Sequence, residues 1–144
     1  MGNIKQKLLD DPLLLLRAGL GLVFILAGIH RIVLFELARA NFIDLGLQPA
    51  SLWVIVAIAA ELVAGILFIV NRYMVKACLL IIAVMVIGIG ASILRAGSTL
   101  WANINEVFML TYTPTDIVLH ISYLVGIITV LLWAIKRKTL ILKK

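Results

Sequence analysis

Four long apolar runs divide the chain, and its polar residues gather mostly between them. The first extends from about Leu13 to Leu34 and the second from about Leu52 to Val70. The third extends from about Met74 to Leu94 and the fourth from about Thr115 to Ile135. Each approaches the roughly 20 residues that a helix needs to span a hydrocarbon core. None alternates polar with apolar positions, which excludes a membrane β-barrel. Breakers fall between the runs: Pro12 opens the first, "LGLQPAS" precedes the second, "NRY" joins the second to the third, and Pro114 precedes the fourth. The pattern predicts an all-α fold: one integral membrane domain over 1–144, built as a four-transmembrane-helix bundle.

Composition agrees with this reading. Of 144 residues, 64% are hydrophobic and only 14% charged, against about half and a quarter in soluble domains. The formal charge of +6 does not point to nucleic acid, because the basic residues sit at chain ends and short connections and form no stripe. Lys5, Lys7, Arg72, Lys76, Lys136, Arg137, Lys138, Lys143 and Lys144 fall on one side of the four runs. The other side holds Arg39, with Arg31 and Arg95 at its margin. This asymmetry predicts a multi-pass protein of the cell membrane with both termini cytoplasmic. Segments 35–51 and 95–114 are then extracytoplasmic, and each is expected to lie in the interface or to fold over the bundle mouth. Trp53, Trp101 and Tyr112 at one boundary, with Tyr73 and Trp133 at the other, fit an aromatic belt. The start "MGNIKQKLLDDP" is basic, but the run behind it is too long for a signal peptide, so the first segment is expected to stay as a spanning helix.

Small residues recur at helical spacing: Ala60 with Ala64, Gly88 with Ser92, and Gly21 with Gly28. They suit close helix packing or contact with a second copy. Cys78 is the single cysteine, which rules out an intramolecular disulfide, a CxxC pair or a thiolate zinc cluster.

Against this background Glu61 stands out. It lies in "AAELVAGILFIV", roughly 14 Å from either end of its helix. An ionised acid at that depth costs roughly 2.5 to 3.5 kcal/mol. Either it stays protonated or a cation on another helix meets it. Arg17, one turn inside the first helix, is a candidate partner; it can equally snorkel back to the headgroups. Glu61 should face the bundle interior, with Arg17 and Glu61 forming a structural tie or serving a proton or ligand role.

His30 near the end of the first helix and His120 inside the fourth are expected at similar depth if the helices run antiparallel. Asp116, four residues before His120, shares its helix face and can orient it. With Arg31 near the same level and Trp101 above, these residues suit a quinone head, which needs hydrogen bonds for its oxygens and an apolar wall for its tail. The same two histidines could ligate a b-type haem, or only satisfy polar groups at the interface. No HxxxH or ExxH spacing supports a metal site.

These stretches also resemble a known family. "LLLLRAGLGLVFILAGIHRI" resembles the first helix of the DoxX-like family, small four-helix integral membrane proteins. "AELVAGILFIV" with "NRYMVKACLLI" is similar to that family's second helix, short basic turn and third helix. The resemblance covers roughly residues 12 to 95, and more weakly the last helix. It implies quinone-linked respiratory or sulfur-oxidising chemistry, as in small subunits of quinol oxidase and of thiosulfate:quinone oxidoreductase. Arg17, Glu61 and Gly65 fall on the family's recurring polar and glycine positions; His30-Arg31 departs from it, since a lysine commonly follows the A-G exit. The expectation is therefore a small subunit of a membrane quinone oxidoreductase, working with other membrane subunits or as a homo-oligomer in the lipid bilayer. The alternative is a non-catalytic accessory or assembly subunit. Catalysis by this chain alone is not expected, because it carries no flavin or dinucleotide fingerprint.

Overall fold

The computed structural model describes residues 11–95 and 117–142, with side chains over 11–91 and 121–137. Its regular elements are helices: α1 (Leu14–Val33), α2 (Phe35–Asp44), α3 (Ala50–Val70), α4 (Met74–Arg95) and α5 (Ile117–Leu142). Among the described residues, three stretches are long and apolar enough to cross a membrane: Leu14–Val33, Ala50–Val70 and Met74–Ala91.

Two elements depart from the hydropathy pattern. The connection after the first run contains the ten-residue helix α2, which packs on α3 and α1. It turns away from α1 at Leu34, whose N–H still bonds the His30 carbonyl. Ala38, Asn41, Phe42 and Leu45 recur at helical spacing and are buried or half-buried, while Glu36, Leu37 and Asp44 are exposed. The last helix runs past Ile135 through "KRKTLIL" to Leu142. Lysine and arginine are good helix formers, so the helix does not stop where the hydropathy does. Arg137 also stacks on the Trp133 ring one turn back, 5.2 Å from its centroid.

The four long helices form a ring in which α1 and α4 each pack on both α3 and α5. The α1–α3 contact is the closest. A Cβ built on Gly21 would lie 2.8 Å from the Gly65 carbonyl oxygen, and one on Gly65 would lie 2.8 Å from the Gly21 oxygen. Only glycine lets the backbones meet this closely, and in lipid such packing supplies most of the attraction between helices. At the next level Phe24 rests against Phe68 at 6.0 Å and Tyr123 at 6.2 Å between ring centroids. These rings join Leu20, Met74, Ile81, Met85, Ile127 and Val130 in the core.

Ala60 and Ala64 are buried, as close packing requires. Gly88 differs: among the described residues nothing lies within 4 Å of a Cβ built there, so a side chain at this position would extend into the space beside it. The side chain of Ser92 lies outside the described residues. Between α3 and α4 the chain reverses through Asn71, which caps α3 in the left-handed conformation (φ 58°) with its N–H on the Leu67 carbonyl. Asparagine is one of the few non-glycine residues that adopts this conformation readily.

Candidate functional site

The buried positions of α3 recur as Val54, Ala57, Glu61, Ala64 and Phe68, so Glu61 belongs to the stripe that faces the bundle interior. It is 7% exposed. Its Oε1 accepts a charge-assisted hydrogen bond from Nη1 of Arg31. The expected Arg17–Glu61 tie does not form, and helix register explains why. A Cβ on Gly28 would sit 3.6 Å from the Glu61 Cβ, so those two residues are level across the α1–α3 contact. Arg31 is one turn beyond Gly28 on the same face, whereas Arg17 is eleven residues back, roughly 16 Å along the axis. Direction adds to distance. Helical side chains lean toward their own N-terminus. With the helices antiparallel, Glu61 and Arg31 lean toward one another, and Arg17 leans away from both.

Arg17 instead closes the opposite end of the same contact. It is 3% exposed, and its Nη1 donates to the Phe68 carbonyl and, at 3.4 Å, to that of Ile69. Its Nη2 lies 2.9 Å from Oδ2 of Asp11. The two carbonyls belong to the last turn of α3, which lacks intrahelical donors and carries the negative end of the helix dipole. Arg17 thus neither reaches the middle of the bundle nor snorkels to the surface.

Beside the Glu61–Arg31 pair lies a chamber of about 650 Å³. Most of its wall is apolar, supplied by α1, α2, α3 and the stretch of α4 from Leu80 to Ile89. Its polar lining comes from His30, Arg31, Asn41, Trp53, Glu61 and Tyr123. His30 lines the chamber and is itself exposed. Arg31 is partly exposed, and Glu61 Oε2 is buried with no hydrogen-bond partner among the described residues. The wall and its few polar groups suit an elongated apolar molecule with one polar end.

Of the residues singled out in the sequence, the structure brings together Glu61, Arg31 and His30, and places Arg17 elsewhere. Trp101 and Asp116 lie outside the described residues, as does the side chain of His120. Asn41, Tyr123 and the chamber role of Trp53 escaped the sequence reading. Asn41 was legible in principle, because it shares the apolar face of α2 with Ala38 and Leu45. Among the described residues, no three His, Cys, Asp or Glu side chains group to hold a metal ion.

Long apolar helices around a chamber with one buried ion pair define a small multi-helix membrane protein. The family model for DoxX matches residues 12–95, more than half of the 144-residue chain, and the chain belongs to the DoxX family. That match spans α1 to α4 and so contains Arg31, Glu61 and most of the chamber wall. Neither the curated proteins nor the solved structures contain a significant match to the chain.

Proposed function

We propose that this protein crosses the membrane four times with both termini cytoplasmic, and that its chamber holds the head and first tail units of a quinone. In this reading it is the small subunit that offers a quinone site to a respiratory or sulfur oxidoreductase. The orientation is supported by the nine Lys and Arg residues on one side of the apolar runs. The fourth crossing is supported by the 26-residue length of α5. The observation that carries the ligand is the Glu61–Arg31 pair set into a mostly apolar chamber of about 650 Å³. That volume falls in the range of small-molecule sites, roughly 300–1,000 Å³. Arg31 and His30 would donate to the head oxygens and Glu61 would hold the Arg31 guanidinium in place, while Trp53 and the α4 wall flank the ring and tail. A quinone, when bound, supplies the two-electron chemistry, and electrons reach it from a partner subunit.

The test is extraction of the protein purified from native membranes in mild detergent. Quinone is expected in the extract, and several-fold less of it from Gly88→Leu, which grows into the open space beside Gly88. Quinone missing from the wild-type extract, with quinol turnover of the intact complex unchanged in Gly88→Leu, overturns this reading in favour of an accessory subunit. A visible absorbance spectrum of the same sample reports any b-type haem.

A further inference from the structure

We propose that the chamber discriminates by the hydrogen-bonding character of the ligand's head: it takes a head that carries a hydroxyl in preference to the same head carrying only carbonyls. This rests on the quinone-class reading of the chamber and deepens it to one redox form, the hydroquinone. Glu61 is paired with a guanidinium through one oxygen only. Its other oxygen is buried without a donor among the described residues, although the side chain lines the chamber. A carboxylate is acceptor-only, and a buried acceptor left unsatisfied is costly. A small rotation of the carboxylate about its last torsion, a soft coordinate, turns that oxygen toward the chamber.

Arg31 has the opposite need. Its guanidinium carries five N–H donors and no acceptor, and only the bond from Nη1 to Glu61 ties it to another side chain among the described residues. A hydroxyl answers both groups at once, donating its proton to Glu61 and accepting from Arg31 through its lone pairs. A carbonyl answers only Arg31 and leaves the Glu61 oxygen as it was. Within an apolar wall the difference is a hydrogen bond to a charged group, about tenfold or more in affinity.

The experiment compares three ligands with one short isoprenoid tail: a benzohydroquinone held reduced under anaerobic conditions, the matching benzoquinone, and the hydroquinone dimethyl ether. Binding to the full chain in detergent is followed through quenching of Trp53 fluorescence, with Trp101 and Trp133 replaced by Phe. The hydroquinone is expected to bind about tenfold tighter than the quinone, with the ether no tighter than the quinone. Glu61→Gln exchanges the orphan acceptor for an amide, which can donate, so the hydroquinone preference should shrink severalfold or reverse. Arg17→Leu, a destabilising change outside the chamber, should leave the ratio standing and guards against a general loss of fold in Glu61→Gln. Equal affinity for quinone and hydroquinone in the parent chain, or a ratio unchanged by Glu61→Gln, overturns the preference while leaving the quinone site intact. Binding of none of the three overturns the site as well.

Discussion

Arg31 and Glu61 meet across the α1–α3 contact one turn beyond Gly28, whose missing side chain leaves room for Leu62. Glu61 lies level with Gly28, its Cβ 3.6 Å from a Cβ built there, and the side chains of Arg31 and Glu61 lean toward each other from antiparallel helices. Removing one partner should therefore cost far more than removing both. Arg31→Leu is expected to lose roughly 3 kcal/mol, the lower end for breaking a buried pair, since the Arg31 side chain is 28% exposed. Arg31→Leu combined with Glu61→Leu is expected to return to within about 1 kcal/mol of the parent. Unfolding by a graded denaturing detergent, followed by circular dichroism, reads both. A double variant no more stable than the single one would show that the pair is not energetically coupled.

The glycines separate into two kinds, and substitution should tell them apart. A Cβ on Gly65 would come within 2.7 Å of Ile25 Cγ1 and 2.8 Å of the Gly21 oxygen, so Gly65→Ala should force α1 from α3 at a cost of about 1–3 kcal/mol. At Gly88 no atom of the other described elements lies within 4 Å of the added carbon, and alanine is the better helix former by up to about 1 kcal/mol. Gly88→Ala is thus expected to be neutral or stabilising in the same unfolding assay. A loss of stability there comparable to that of Gly65→Ala would mean that α4 packs more tightly than its open wall suggests.

Much of this could be read in the sequence, and what could not has a common cause. Hydropathy located the long helices, since a run such as Ala50–Val70 is apolar on every face. It also placed Glu61 inside, because an acid in such a run has no cheap position in lipid. It did not choose between Arg17 and Arg31, since that choice depends on which residues of α1 and α3 stand level. The register was carried by glycines alone: Gly21 opposite Gly65 and Gly28 opposite Glu61. Once those pairs are aligned, the lean of helical side chains selects Arg31. Helix α2 was missed for a related reason. Its inward face mixes Ala38 and Asn41 with Phe42 and Leu45, too weak a stripe to stand out from an interfacial loop.

Arg17 should behave as a separate structural tie. Arg17→Leu strands Asp11, whose side chain is 13% exposed, and removes the donor to the Phe68 and Ile69 carbonyls. The expected loss is roughly 3 kcal/mol. Because Arg17 lies far from the chamber pair and shares no partner with it, Arg17→Leu and Arg31→Leu should add within about 0.5 kcal/mol. Quinone recovered per folded chain should be unchanged by Arg17→Leu. Coupling above that margin, or loss of bound quinone from folded Arg17→Leu protein, would place Arg17 within the functional site despite its distance.

The α3–α4 reversal offers a last test, one that depends on backbone conformation alone. Asn71 adopts φ 58° and ψ 38° and bonds the Leu67 carbonyl through its own N–H. A β-branched residue in this conformation suffers a Cβ clash worth about 1–2 kcal/mol, whereas glycine suffers none. Asn71→Val is therefore expected to destabilise by about that amount, and Asn71→Gly to stay within about 0.5 kcal/mol of the parent. The turn is only three residues long, so α4 cannot pivot away without dragging Met74 and Ala77 out of the core. That constraint keeps the residue at position 71 left-handed whatever its side chain, and makes the cost fall on stability with no change in helix packing. Equal unfolding free energies for the Val and Gly variants would mean that the reversal can be made another way.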